Sequence, residues 1–120
     1  MVNQKSDIRQ RCYQFSLNVI ELADLLPKKR SAWVIADQLI RSATSIGANL
    51  VEAKASSSRL EFKKFYEISL KSANETIYWL GLLKDSGLAD KIKIEKLENE
   101  VIELSRMLGS AVIKLKRRNL

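Results

Sequence analysis

Four apolar seams run through this chain, each in the alternating steps of three and four residues that put side chains on one face of an α-helix. The first is Ile8, Cys12, Phe15, Val19, Leu22 and Leu26. The second is Trp33, Ala36, Leu39 or Ile40, Ala43, Ile46 or Gly47, Leu50 and Ala53. The third is Phe62, Phe65 or Tyr66, Ser69, Ala73, Thr76 or Ile77, Leu80 and Leu83. The fourth is the cleanest: Ile94, Leu97, Val101, Leu104, Leu108, Ala111 and Leu115. One Pro and four Gly are too little punctuation for an all-β fold.

The breaks between seams carry helix-end chemistry. Ser6 is a candidate cap for the first helix, and Pro27 ends it because the residue before a proline is driven out of the α region. Ser31 precedes the second helix. Ser58 with Glu61 three residues on forms a capping box for the third, and Gly87 suits its C-terminal cap. These signals predict helices over about 7–26, 32–55, 59–84 and 91–116 in a single domain, 1–120. Similar lengths and short loops imply an all-α fold, an antiparallel up-down-up-down four-helix bundle.

The second helix is dense in small residues: Ser42, Ala43, Thr44, Ser45, Gly47 and Ala48. A glycine inside a helix costs roughly 1 kcal/mol against alanine, so close backbone approach is expected there. The third helix holds Phe62, Phe65, Tyr66, Tyr78 and Trp79, and small residues facing these aromatics is the expected packing.

Catalytic readings fail on residue type. The chain has no histidine, which removes most triads, most zinc sites and the di-iron motif of helical bundles. Ser42, Ser45 and Ser56 to Ser58 lack a base partner. Cys12 falls on a seam and reads as a buried small hydrophobe. Glu61 is explained as a cap, and Glu52 and Glu75 as partners of Arg41 or lysines. No enzyme activity, metal or cofactor is expected. A lone Cys fits a reducing compartment, so a cytoplasmic location is expected. The N-terminus lacks the apolar core of a signal peptide, and no apolar run reaches membrane-spanning length.

Charge points to a polyanion. There are 21 basic residues against 14 acidic, a formal net charge of +7. The up-down topology gathers eleven of the 21 at one end: Lys5, Arg9, Arg11, Lys54, Arg59, Lys63, Lys64, Lys114, Lys116, Arg117 and Arg118. Few acids are expected there: Asp7, Glu52, Glu61 and Glu67. Cations at helix C-termini complement the helix dipole, which accounts for Lys54 and the C-terminal tail. It leaves Arg9, Arg11, Arg59, Lys63 and Lys64 at helix starts, where cations are unfavourable. Those ten from Arg9 onward are the candidate nucleic-acid-binding residues.

Two features point to assembly. Arg41, Ser45 and Glu52 form a stripe apart from the seam, and the third helix ends apolar nearly all round, through Ile77, Tyr78, Trp79 and Leu82. Arg41, Glu52, Glu75, Tyr78 and Trp79 are the candidate interface residues. Tyr66, Tyr78 and Trp79 have the chemistry to stack on bases, but interface is the favoured reading.

The strings QLIRSATSIGANLVEA, SRLEFKKFYEISLKSANETIYWLGLL and ELSRML resemble the bacterial four-helix-bundle proteins encoded in intervening sequences of large-subunit ribosomal RNA genes. The resemblance covers about Phe15 to Leu115. Its motif is Gln38-Leu39, Arg41-Ser42, Ser45-Ile46, Asn49, Glu52-Ala53, Ser58, Glu61-Phe62, Ser72, Glu75-Thr76 and Tyr78-Trp79-Leu80. It implies a protomer that closes into a ring, a homopentamer in that family. It also implies a relation to the accessory proteins of diversity-generating retroelements, basic pentamers that bind nucleic acid and a reverse transcriptase. It carries over no catalytic residue. The function expected is a basic, oligomeric nucleic-acid-binding protein, RNA favoured, holding phosphates more than bases. The alternative is a scaffold that docks an acidic protein and binds no nucleic acid.

Overall fold

A computed structural model describes residues 7–118, Arg118 by its backbone alone. Its regular elements are α1 (Ile8–Asp24), α2 (Arg30–Lys54), α3 (Arg59–Asp85) and α4 (Lys91–Arg118). Ser6 lies outside the described residues. Asp7 caps α1, its carboxylate accepting from the backbone N–H of Arg9 at 3.1 Å and of Gln10 at 3.4 Å. α1 stops two residues short of the expected Leu26, where the backbone tightens into a turn ahead of Pro27. α2 starts at Arg30, before Ser31, and Lys29 caps it without a side-chain bond. Ser58 Oγ accepts from the Glu61 N–H at 3.1 Å, and Glu61 Oε1 accepts from the Ser57 N–H at 2.9 Å, so the box closes one residue before the cap. After α3, Gly87 sits at φ 72°, and the Leu88 and Gly87 N–H groups reach the Leu83 and Lys84 carbonyls. That is the pattern in which a left-handed glycine closes a helix.

The seams meet in one core. Phe15 and Val19 of α1, Leu39, Ile46 and Leu50 of α2, Leu80 and Leu83 of α3, and Ile94, Val101, Leu104 and Leu108 of α4 fill it. Two expected seam positions move. Trp33 is 59% exposed and Ala32 takes the buried place; Val112 is buried where Ala111 was expected. A helix of 3.6 residues per turn drifts against a strict 3.5-residue repeat, so seam ends slip to a neighbouring position.

α1 packs on α2, α2 on α3, α3 on α4 and α4 on α1, with no close backbone approach across either diagonal among the described residues. The α2–α3 contact is the most extensive, and it overturns one expectation. The small residues of α2 face small hydroxyl residues of α3, not aromatics. Thr76 Oγ1 lies 2.9 Å from Ser42 Oγ, Ser72 Oγ donates to Ser45 Oγ at 2.9 Å, and Ser69 Oγ donates to the Ile46 carbonyl at 2.8 Å. Residue numbers rise along one helix as they fall along the other. Buried hydroxyls need partners, and no described buried side-chain polar atom lacks one. The close approach at Gly47 is to α1, where an added Cβ would stand 3.2 Å from Cys12 Cβ. Glu98, a plain surface position by sequence pattern, accepts from Lys84 Nζ at 2.9 Å and ties α4 to α3.

Three substitutions test this packing by chemical denaturation. Leu104→Ala, at a fully buried site, is expected to cost about 2–5 kcal/mol. Ser69→Leu is expected to cost about 1–3 kcal/mol by forcing α2 from α3. Ser69→Ala removes only one hydrogen bond, about 1 kcal/mol. A neutral Ser69→Leu would show that the two helices are not held close there.

Candidate nucleic-acid interface

The start of α1, the end of α2 and the start of α3 meet at a cleft of about 490 Å³, lined by the cap residue Asp7, Ile8 and Arg9 of α1, Leu50 and Lys54 of α2, and Phe62 and Tyr66 of α3. Lys116 Nζ of α4 comes within 3.9 Å of Glu67 on α3. Arg59, Lys63 and Lys64 stand in the first turns of α3, and Lys114 and Arg117 in the last turns of α4. Lys5 and the Arg118 side chain lie outside the described residues.

The ion pairs sort these cations. Arg9 meets Asp7 loosely, at 3.7 Å, and this pair and Lys116–Glu67 are solvent-exposed, where pairing contributes little. Lys54, Arg59, Lys63, Lys64, Lys114 and Arg117 have no acidic partner within 4.0 Å among the described residues. Arg11 differs. Its Nε and Nη2 donate to the two carboxylate oxygens of Glu100 at 3.1 and 2.8 Å, and Nη2 donates to Glu103 at 2.7 Å. Those hydrogen bonds, Glu100 first, hold its pKa above the ordinary arginine value. Two carboxylates therefore offset the charge of Arg11, which ties α1 to α4. Sequence reasoning missed Glu100 and Glu103. Their spacing, three apart on the helix that closes against α1, was the available signal.

Four of the five candidate interface residues, Arg41, Glu52, Glu75 and Tyr78, are exposed, and Trp79 is half-buried against the core. The expected pairing of Glu52 and Glu75 with Arg41 or lysines is not made among the described residues. Glu75 Oε2 instead accepts from Trp79 Nε1 at 2.9 Å, and Tyr78, 60% exposed, meets Trp79 edge-on with centroids 5.1 Å apart. A second apolar surface was not anticipated. Tyr13, Leu17 and Ile20 of α1 and Thr44, Ala48 and Val51 of α2 line an open groove of about 370 Å³. Tyr13, Leu17 and Ile20 are stepped by four and three, a second stripe beside the α1 seam.

Phe62 and Tyr66 stack with centroids 4.8 Å apart. Burial raises the Tyr66 pKa, against a smaller opposing effect of Arg9. Burial, helped by Glu100, pushes the Cys12 thiol up to about 12, so it is not a thiolate at neutral pH. No group of three or more potential metal ligands occurs among the described residues. No described helix is long and apolar enough to cross a membrane.

Residues 4–110 match the family model described as 23S rRNA-intervening sequence protein. Among solved structures the chain is similar to a protein of unknown function from the S23 ribosomal protein family of Bacteroides thetaiotaomicron. The two are 33% identical, with a TM-score of 0.82, over 88% of this chain and 97% of that one. No curated protein matches the chain.

The Cys12 thiol gives a pH prediction. Below about pH 9 it is neutral folded and unfolded alike; between its ordinary 9.0 and about 12 only the unfolded chain ionises, so stability falls as pH rises. Denaturation of the native chain and of Cys12→Ala at about pH 8 and about pH 10 is expected to show a smaller loss in the variant. An equal loss would mean that Cys12 is solvated.

Proposed function

The chain belongs to the 23S rRNA-intervening sequence protein family, and from that premise we propose that it is a non-enzymatic, basic protein that binds RNA through its phosphates. The observation that carries this reading is the group of unneutralised cations at one end of the bundle, Lys54, Arg59, Lys63, Lys64, Lys114 and Arg117. Arg59 opens α3, against the dipole, with Lys63 and Lys64 in the turn that follows. Such a surface releases counterions from a polyanion and follows backbone rather than sequence. The same proposal takes the helices as antiparallel, up-down-up-down. The Ser42–Thr76, Ser45–Ser72, Arg11–Glu100 and Asn74–Ser105 contacts support it. It places the protein in the cytoplasm and relates it to the accessory proteins of diversity-generating retroelements.

We assign the α1–α2 groove and the Tyr78–Trp79 end to assembly of copies into a ring, five-fold by family resemblance. Apolar surfaces of this kind are rare on soluble monomers, and heterologous contacts around a closed ring bury them. A ring also repeats the basic end around one rim and raises affinity for a long polyanion by avidity. The same groove favours a second reading, a scaffold that docks another protein.

A salt series on structured RNA tests the first reading. Replacing Lys63, Lys64, Arg117 and Arg118 by Ala is expected to weaken binding and flatten the salt slope by about 0.7–0.9 per lost phosphate contact. Arg11→Ala, and Lys28, Lys29 and Arg30 changed together at the other end, are expected to do much less. Equal losses from both ends would refute a polarised surface. RNA binding absent at low salt would leave the scaffold.

Light scattering tests the second part. The native chain is expected well above 13.7 kDa, and Leu17→Asp, at a 45% exposed groove position, is expected to return it to that mass with little change in melting temperature. A native monomer would refute assembly.

A further inference from the structure

The cleft at the basic end combines two chemistries that the cations alone do not explain. Arg9 and Lys54 line it together with the stacked Phe62–Tyr66 pair. The aromatic pair lies one turn apart on α3, and Arg59, Phe62, Lys63 and Tyr66 recur at steps of three, one and three, so they share a face. Tyr66 is half-buried against the core, which fixes its ring in place. A surface that binds only phosphate has no use for aromatic rings held in a cationic cleft. Ring surface beside arginine and lysine is what unpaired nucleic acid uses: bases stack on the rings while phosphates meet the cations. The volume, about 490 Å³, is within the range of small-ligand pockets. The one acid in the lining, Asp7, turns its carboxylate to the backbone N–H groups of Arg9 and Gln10, which lessens its opposition to an anion.

We propose that this cleft holds one unpaired base of a single-stranded nucleic acid against the Phe62–Tyr66 pair, with the flanking phosphates on Arg9 and Lys54. This rests on the RNA-binding reading above and adds to it a preference for unpaired nucleotides. The cations supply affinity and salt dependence. The aromatic pair supplies the preference for single strand over duplex, in which bases are not free to enter.

The experiment uses the full chain and three probes: a short single-stranded RNA carrying one 2-aminopurine, a duplex of the same sequence, and long-chain polyphosphate, which has charge but no base. The native chain is expected to quench 2-aminopurine on binding and to prefer the single strand. Tyr66→Leu is expected to weaken single-strand binding roughly tenfold and to abolish the quenching, with polyphosphate affinity and salt slope unchanged. Tyr66→Phe keeps the ring and is expected to behave as the native chain. Melting curves check that both variants fold. If the native chain binds RNA but does not quench 2-aminopurine, or Tyr66→Leu binds single strand as well as the native chain does, the cleft proposal is overturned and phosphate binding stands. If neither RNA nor polyphosphate binds at low salt, both readings fall. Polyphosphate losing as much affinity as RNA in Tyr66→Leu overturns the base site, because the ring would then be supporting the cations alone.

Discussion

Close approach of α2 and α3 through serine and threonine is the constraint on which the rest of the bundle depends. Large side chains on both helices would keep the axes apart; Ser42, Ser45, Ser69, Ser72 and Thr76 let the helices draw together. The cost of burying hydroxyls is met because each has a partner in the facing helix or in a carbonyl of its own turn. Hydrogen bonds are directional where apolar contacts are not, so this contact also fixes the register of the two helices. A slide by one turn would take the Ile46 carbonyl from the fully buried Ser69 and leave Thr76 only the carbonyl of its own turn. With that register set, the end of α2 stands beside the start of α3, and Lys54 comes to the cleft that Phe62 and Tyr66 line.

Electrostatics then divides the positive charge into two uses. Arg11 is held by Glu100 and Glu103, with its side chain only 21% exposed, and its bidentate geometry links the outer helices of the chain. Lys84 and Glu98 do the same between α3 and α4. Both are structural ties, and neither adds field at the surface. Lys54, Arg59, Lys63, Lys64, Lys114 and Arg117 have no acidic partner within 4.0 Å among the described residues, and Arg59 stands in the first turn of α3, where the dipole disfavours it. A surface that keeps like charges together against its own stability is the kind of site that a polyanion relieves.

The apolar surfaces follow a similar division. The seams are consumed by the core, but the stripe Tyr13, Leu17 and Ile20 remains in solvent beside Ala48 and Val51. A four-helix bundle needs one seam from each helix, and a second stripe on α1 has no place inside it.

The amino-acid sequence by itself determined the helices, the start and closure of α3 and most of the core. Helix formation, capping at Ser58 and closure at Gly87 depend on residues within a turn or two of one another. The excess of basic residues was equally legible, because a count requires no geometry. The tertiary structure alone decided which faces meet. Small residues on α2 were visible, but whether they faced aromatics or other small residues depends on helix rotation, which drifts from the ideal repeat by a fraction of a turn. That drift exposed Trp33 and buried Val112. Arg11 and Glu100 are 89 residues apart in the chain, so no local pattern links them. The cleft is likewise assembled from three helices, and its residues share nothing in sequence but the fold that brings them together.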